Sequence, residues 1–94
     1  MAYIKRLVLD ILKPHHPDAL EFAKALAELG ADYRVTLTTV EMDEQTQTLR
    51  VVVQGQDLAL DGIQEVITTM GASLHSIDEV EATGAGDAET DAYR

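Results

Sequence analysis

The order of periodic segments constrains this chain more than any motif does. Strand, helix, strand, strand, helix, strand fill residues 3–83 with short connections. Residues 3–12 are rich in Leu, Ile and Val, and Pro14 and Pro17 close the run, so a strand ends near Lys13. Alternation puts Leu7, Leu9 and Ile11 on one face and Ile4, Arg6, Val8, Asp10 and Leu12 on the other. Pro17 stands where helices commonly begin, with His16 or Asp18 able to cap, and Ala19, Phe22, Leu26 and Leu29 form a helical stripe that Gly30 ends. Tyr33, Val35 and Leu37 then alternate in phase and Val40 and Met42 out of phase, which predicts a β-bulge at Thr38-Thr39. A polar tip, Asp43-Glu44-Gln45-Thr46, joins this strand to one in which Leu49, Val51 and Val53 face one way, and Gly55 closes the hairpin. A second helix starts between Asp57 and Asp61, carries Ile63, Val66, Ile67 and Met70, and has Gly71 just past its end. The last strand runs from Ser73 to about Glu81.

Two β-α-β halves joined by a hairpin predict an α+β, ferredoxin-like βαββαβ fold: a four-stranded antiparallel sheet with both helices on one face. Right-handed crossovers place strands 1 and 3 in the middle, strand 4 beside strand 1 and strand 2 beside strand 3. Residues 1–83 form this domain; residues 84–94 lack periodicity and are expected to be a disordered acidic tail. If Leu7, Leu9 and Ile11 face the helices, then Ile4, Val8 and Leu12, with Val52, lie on the opposite face. An exposed, partly apolar sheet face on so small a domain calls for a cover, and self-association is the simplest one.

Charge narrows the partners. Seventeen acids against seven bases give a net charge of −10, which repels phosphate backbones and argues against nucleic-acid binding. One Phe, three Tyr and no Trp offer no stacking platform for single strands either. Two readings of the charge stand: adaptation to a high-salt, halophilic cytoplasm, or binding of a cation or basic partner. No cysteine is present, so disulfides and thiolate metal sites are excluded. No segment approaches the ~18 apolar residues of a membrane span, and Asp10 interrupts the first apolar run too early for a signal peptide; a cytoplasmic protein without membrane partners is expected.

Asp10, near the end of a central strand, is the residue to single out, because an unpaired carboxylate is costly to bury there. The neighbouring strand 4 holds Asp78 and Glu79. Three carboxylates on adjacent strands supply the hard oxygen ligands that Ca²⁺ or Mg²⁺ takes. The alternative is a charge-pair network with Arg6 and Arg50, and register decides which carboxylates share a face with Asp10. His15-His16 invites a Zn²⁺ or Ni²⁺ reading with His75 as a distant third ligand, against a solvated turn and helix cap; His75 by itself reads as structural. Gly84-Ala85-Gly86 precedes no helix and is no phosphate loop, and no catalytic pairing is recognisable, so a non-enzymatic protein is expected.

The strings Ile4-Lys5-Arg6-Leu7-Val8-Leu9-Asp10-Ile11-Leu12-Lys13-Pro14-His15 and His75-Ser76-Ile77-Asp78-Glu79-Val80 resemble the archaeal domain of unknown function 211 family, as do Val40-Glu41 and Gly55-Gln56-Asp57-Leu58 between them. The resemblance covers residues 3–82. It implies a ferredoxin-like subunit that assembles into ring-like homo-oligomers, sometimes with bound calcium, and it implies no established activity. On the matching positions Asp10, Asp78 and Glu79 are where a cation is expected; His16 and the tail depart from the pattern. The leading expectation is therefore a self-assembling domain, with a divalent cation held by carboxylates. The alternatives are a small-molecule-binding regulatory domain, with a pocket near residues 13–18 or 55–61, and a metal-dependent enzyme.

Overall fold

A computed structural model describes residues 2–84. The elements are β1 (Ala2–Pro14), α1 (Ala19–Ala27), β2 (Arg34–Met42), β3 (Thr46–Gln54), α2 (Leu60–Thr69) and β4 (Ser73–Gly84). They form one antiparallel sheet in the order β2-β3-β1-β4, the ferredoxin-like arrangement the element order predicts. β4 runs to Gly84, past the expected end near Glu81; the rest of the segment read as an acidic tail lies outside the described residues.

The core lies on one face of the sheet. Leu7, Leu9 and Ile11 of β1 and Leu49, Val51 and Val53 of β3 share a buried cluster with Phe22 and Leu26 of α1 and Ile63 and Ile67 of α2. Both helices therefore cover the same face, as the 3.6-residue stripes and the strand alternation require. Asp18, not His16, caps α1: its carboxylate accepts the Glu21 N–H at 2.9 Å, satisfying one of the donors that a helix start leaves open. Gly71 ends α2 at φ +80°, a conformation that side-chain-bearing residues avoid.

Four extra residues break the ladders. In β2 the register shifts between Thr39 and Glu41, so Val40 is the bulged residue, one place beyond the expected slip. In β4 the pairings skip Asp78 and His75, and in β1 they skip Lys5. The bulge at Lys5 reverses the alternation before it. Ile4, expected on the open face with Arg6 and Val8, instead packs against the core cluster.

Candidate functional site

The face of the sheet away from the helices carries most of the polar residues of the central strands. Register sets its layout, because residues directly opposite in an antiparallel pair share a face. Read from β2 to β4, one row is Arg34, Gln54, Arg6 and Glu81. The next is Thr36, Val52, Val8 and Glu79. Thr38, Arg50, Asp10 and Ser76 follow, and then Glu41, Thr48, Leu12 and Ser73. Val8 is only 7% exposed yet lies outside the helix-side cluster, which places it among its neighbours on this open face. Leu12 is 44% exposed.

All three arginines of the described residues, Arg6, Arg34 and Arg50, stand on this face of an otherwise strongly acidic chain. Arg6 Nε lies 3.5 Å from Glu79 Oε1, an ion pair within the copy. Asp10 and Arg50 are cross-strand neighbours, but no ion pair or hydrogen bond ties either side chain among the described residues. Asp10, Leu12, Thr48 and His75 line a hollow of about 220 Å³ on the same face. His75, read from sequence as structural, reaches it because it is a bulged residue of β4, and a bulge re-aims a side chain.

The three carboxylates singled out from sequence are dispersed by the same register. Ser76, and neither Asp78 nor Glu79, stands opposite Asp10. Asp78 is bulged out of the ladder and its Oδ1 accepts the Ser76 hydroxyl at 2.7 Å. Glu79 stands beside Val8 and pairs with Arg6. Among the described residues no three His, Asp or Glu side chains gather closely enough to hold a metal ion.

His15 is committed to the backbone. Its Nε2 lies 2.8 Å from the Asp43 carbonyl, and since a carbonyl only accepts, that nitrogen carries the proton. The contact ties the β1–α1 loop to the hairpin tip. There the Asp43 carboxylate accepts the Thr46 and Gln45 N–H groups at 2.8 and 2.9 Å, and these bonds hold it below the usual aspartate range. His16 is exposed.

Lys13 was missed by sequence reading, although it continues the Leu7, Leu9, Ile11 alternation onto the core face. It is fully buried, and its ammonium donates to the carbonyls of Pro14, at 2.7 Å, and of Pro17. Burial lowers its pKa, partly countered by the Asp18 charge. Its partner across the ladder, Gln47, is also buried, and Gln47 Oε1 has no hydrogen-bond partner among the described residues. At the opposite end of the sheet an open groove of about 480 Å³ is bordered by Asp32, Arg34, Gly55 and Glu81, next to the 55–61 segment. Gly55 is closely approached there: a Cβ would stand 2.9 Å from Leu58 Cδ2 and 3.2 Å from Asp32 Oδ2, which accepts the Gln56 N–H at 2.7 Å.

Residues 5–89 match the model of the family described as DUF211, uncharacterized ArCR. The chain belongs to this family. It is also 44% identical, over 79 residues, to the uncharacterized protein MJ0319 of Methanocaldococcus jannaschii, a match covering 84% of this chain and 81% of that protein. The archaeal affinity and the fold expected of this DUF211 member thus hold, and its family and relative carry no assigned function. No helix among the described residues is long and apolar enough to cross a membrane.

Proposed function

We propose that this DUF211 protein is a non-enzymatic, self-assembling domain whose working surface is the open face of its sheet. The observation that carries this reading is a sheet face that no element among the described residues covers, on which Val52 and the exposed Leu12 stand among three arginines and the carboxylates of Asp10, Glu41, Glu79 and Glu81. Exposed apolar side chains interleaved with charges of both signs on an uncovered sheet face fit an association surface. Val40 and Met42 on β2 and Ile77 and Val80 on β4 are each more than 40% exposed, so the sheet margins add further apolar surface. A divalent cation such as Ca²⁺ fits this reading only between copies. Asp10 and the β4 carboxylates Asp78 and Glu79 are too dispersed within one copy, and a second copy would have to complete the oxygen shell.

Absolute mass by light scattering, in high salt with Ca²⁺ and then with chelator, tests the reading. The expected result is a defined multiple of 10.3 kDa. A mass that drops on chelation makes the cation part of the assembly; one indifferent to chelator places assembly on protein contacts alone. A monomer throughout ends the self-assembly reading.

A further inference from the structure

The groove at the Arg34–Glu81 end of the sheet is lined by polar groups of two kinds. One kind is tied down. Asp32 Oδ2 accepts the Gln56 N–H at 2.7 Å, the Lys5 ammonium donates to Gln56 Oε1 at 2.9 Å, and the Lys5 carbonyl accepts the Gly55 N–H at 3.1 Å. These bonds stitch the chain before β2, the chain after β3 and the bulge of β1 into one floor. The other kind has no internal partner. Among the described residues no hydrogen bond or ion pair engages the side chains of Arg34, Gln54 or Glu81, and Thr83 Oγ1 is buried without a partner. A buried hydroxyl left unpaired costs free energy that a bound ligand recovers. We propose that this groove binds a small zwitterion of the α-amino-acid class, its carboxylate on Arg34 and its ammonium on Glu81 and the Thr83 hydroxyl.

The register supplies the spacing. Arg34, Gln54, Arg6 and Glu81 form one row across the four strands, so Arg34 and Glu81 stand three strand spacings apart, about 14 Å. Two long side chains leaning inward take up much of that span and leave room for one compact ligand with opposite charges at its two ends. Arg6, in the same row, is turned to Glu79 and does not compete for Glu81. Thr83 follows Glu81 by two positions in β4 and so shares its face. A planar guanidinium takes a carboxylate through two parallel hydrogen bonds, and the Gln54 carboxamide between the two ends both donates and accepts.

Charge selects against other ligands. The two cations that line the groove, Lys5 and Arg34, are matched by Asp32 and Glu81. A phosphate-bearing ligand would meet both carboxylates and a chain of net charge −10. A simple cation would meet Lys5 and Arg34. A ligand that carries both signs leaves neither end opposed, and the groove, at about 480 Å³, holds it together with water. The site lies within one copy, so it does not rest on the self-assembly reading, and a monomeric protein leaves it standing.

Three probes test this on the full chain: L-alanine, which bears both charges and little else, N-acetyl-L-alanine, an anion only, and L-alaninamide, a cation only. Saturation-transfer NMR reads their binding whatever the mass of the assembly. L-alanine should give a saturable signal, and each half-charged probe should bind at least about tenfold more weakly. Arg34→Gln and Glu81→Gln, both at exposed positions, should each weaken L-alanine at least about tenfold with the circular dichroism of the wild type retained. Thr83→Val should also weaken L-alanine while leaving the unfolding midpoint no lower, because valine buries no unpaired hydroxyl. Lys24→Gln, on the solvent side of α1, should bind as wild type does. No saturable signal from L-alanine overturns the proposal. So does equal binding of N-acetyl-L-alanine, which would make the groove an anion site, or wild-type affinity in both Arg34→Gln and Glu81→Gln. Should a variant fail to fold, the three probes on the wild type still decide.

Discussion

Leu9 and Asp10 are chain neighbours, as are Val51 and Val52 and Ile11 and Leu12, yet each pair divides between two environments. On the helix side the first member is 0% exposed and packs into one cluster from both central strands and both helices. On the open side the second member stands among charges with no element over it among the described residues. The strands obey the same period-2 geometry on both faces. What differs is what is brought against them: two amphipathic helices on one side, and on the other a surface ordered by charge sign. The helix face is specified by volume and dryness and tolerates little change. The open face is specified by pattern, and the domain's own folding asks less of it.

The largest effect that separates the faces comes from one strand. Ile11→Ala removes a fully buried side chain and should cost about 2–5 kcal/mol of unfolding free energy, read by urea or thermal denaturation. Leu12→Ala, one position along and 44% exposed, should cost under ~1 kcal/mol at dilutions where the chain is monomeric while weakening association. Equal stability losses would break the distinction between the faces.

Lys13 probes where the helix face turns polar. Lys13→Ala leaves the Pro14 and Pro17 carbonyls without their donor and should cost about 1–3 kcal/mol by the same assay. The sign with pH follows from the depressed folded-state value. Between that value and 10.5 the unfolded chain binds more protons at this site than the folded one, so its contribution to stability increases as pH rises through that window. A variant as stable as wild type would show that neither the ammonium's hydrogen bonds nor the buried stem adds net stability.

The smallest expected effect lies at the hairpin tip, where neither face is packed. The Asp43 carboxylate is held below its ordinary 3.8 by the Thr46 and Gln45 amides, so its contribution is complete above that value and is lost as pH falls through the folded-state pKa. Exchange protection of the Gln45 and Thr46 amides should fade in that range while that of Leu9 persists. Uniform loss would show the tip and the core opening as one unit.

Much of the fold was legible because it depends on local periodicity. The stripes Phe22–Leu26 and Ile63–Ile67 and the alternation Leu7, Leu9, Ile11 already name the helix-covered face, and the crossover rule orders the strands. The candidate site was legible only in part. Asp10 does lie on the open face, and Arg6 and Arg50 lie there with it as the charge-network alternative expected. The cation trio was assembled from proximity in strand order, and register separates it within one copy. Lys13 carried a signal in its parity with Ile11, one that its charge obscured.

Sequence by itself determined the elements, their order and which side of each strand is apolar, because these follow from side-chain spacing along a single segment. Tertiary structure alone decided the bulges at Lys5, His75 and Asp78, and moved the one expected at Thr38-Thr39 to Val40, and hence decided which residues stand opposite one another. A bulge is set by how two strands fit across the ladder, and that fit involves residues as distant in the chain as Asp10 and Ser76.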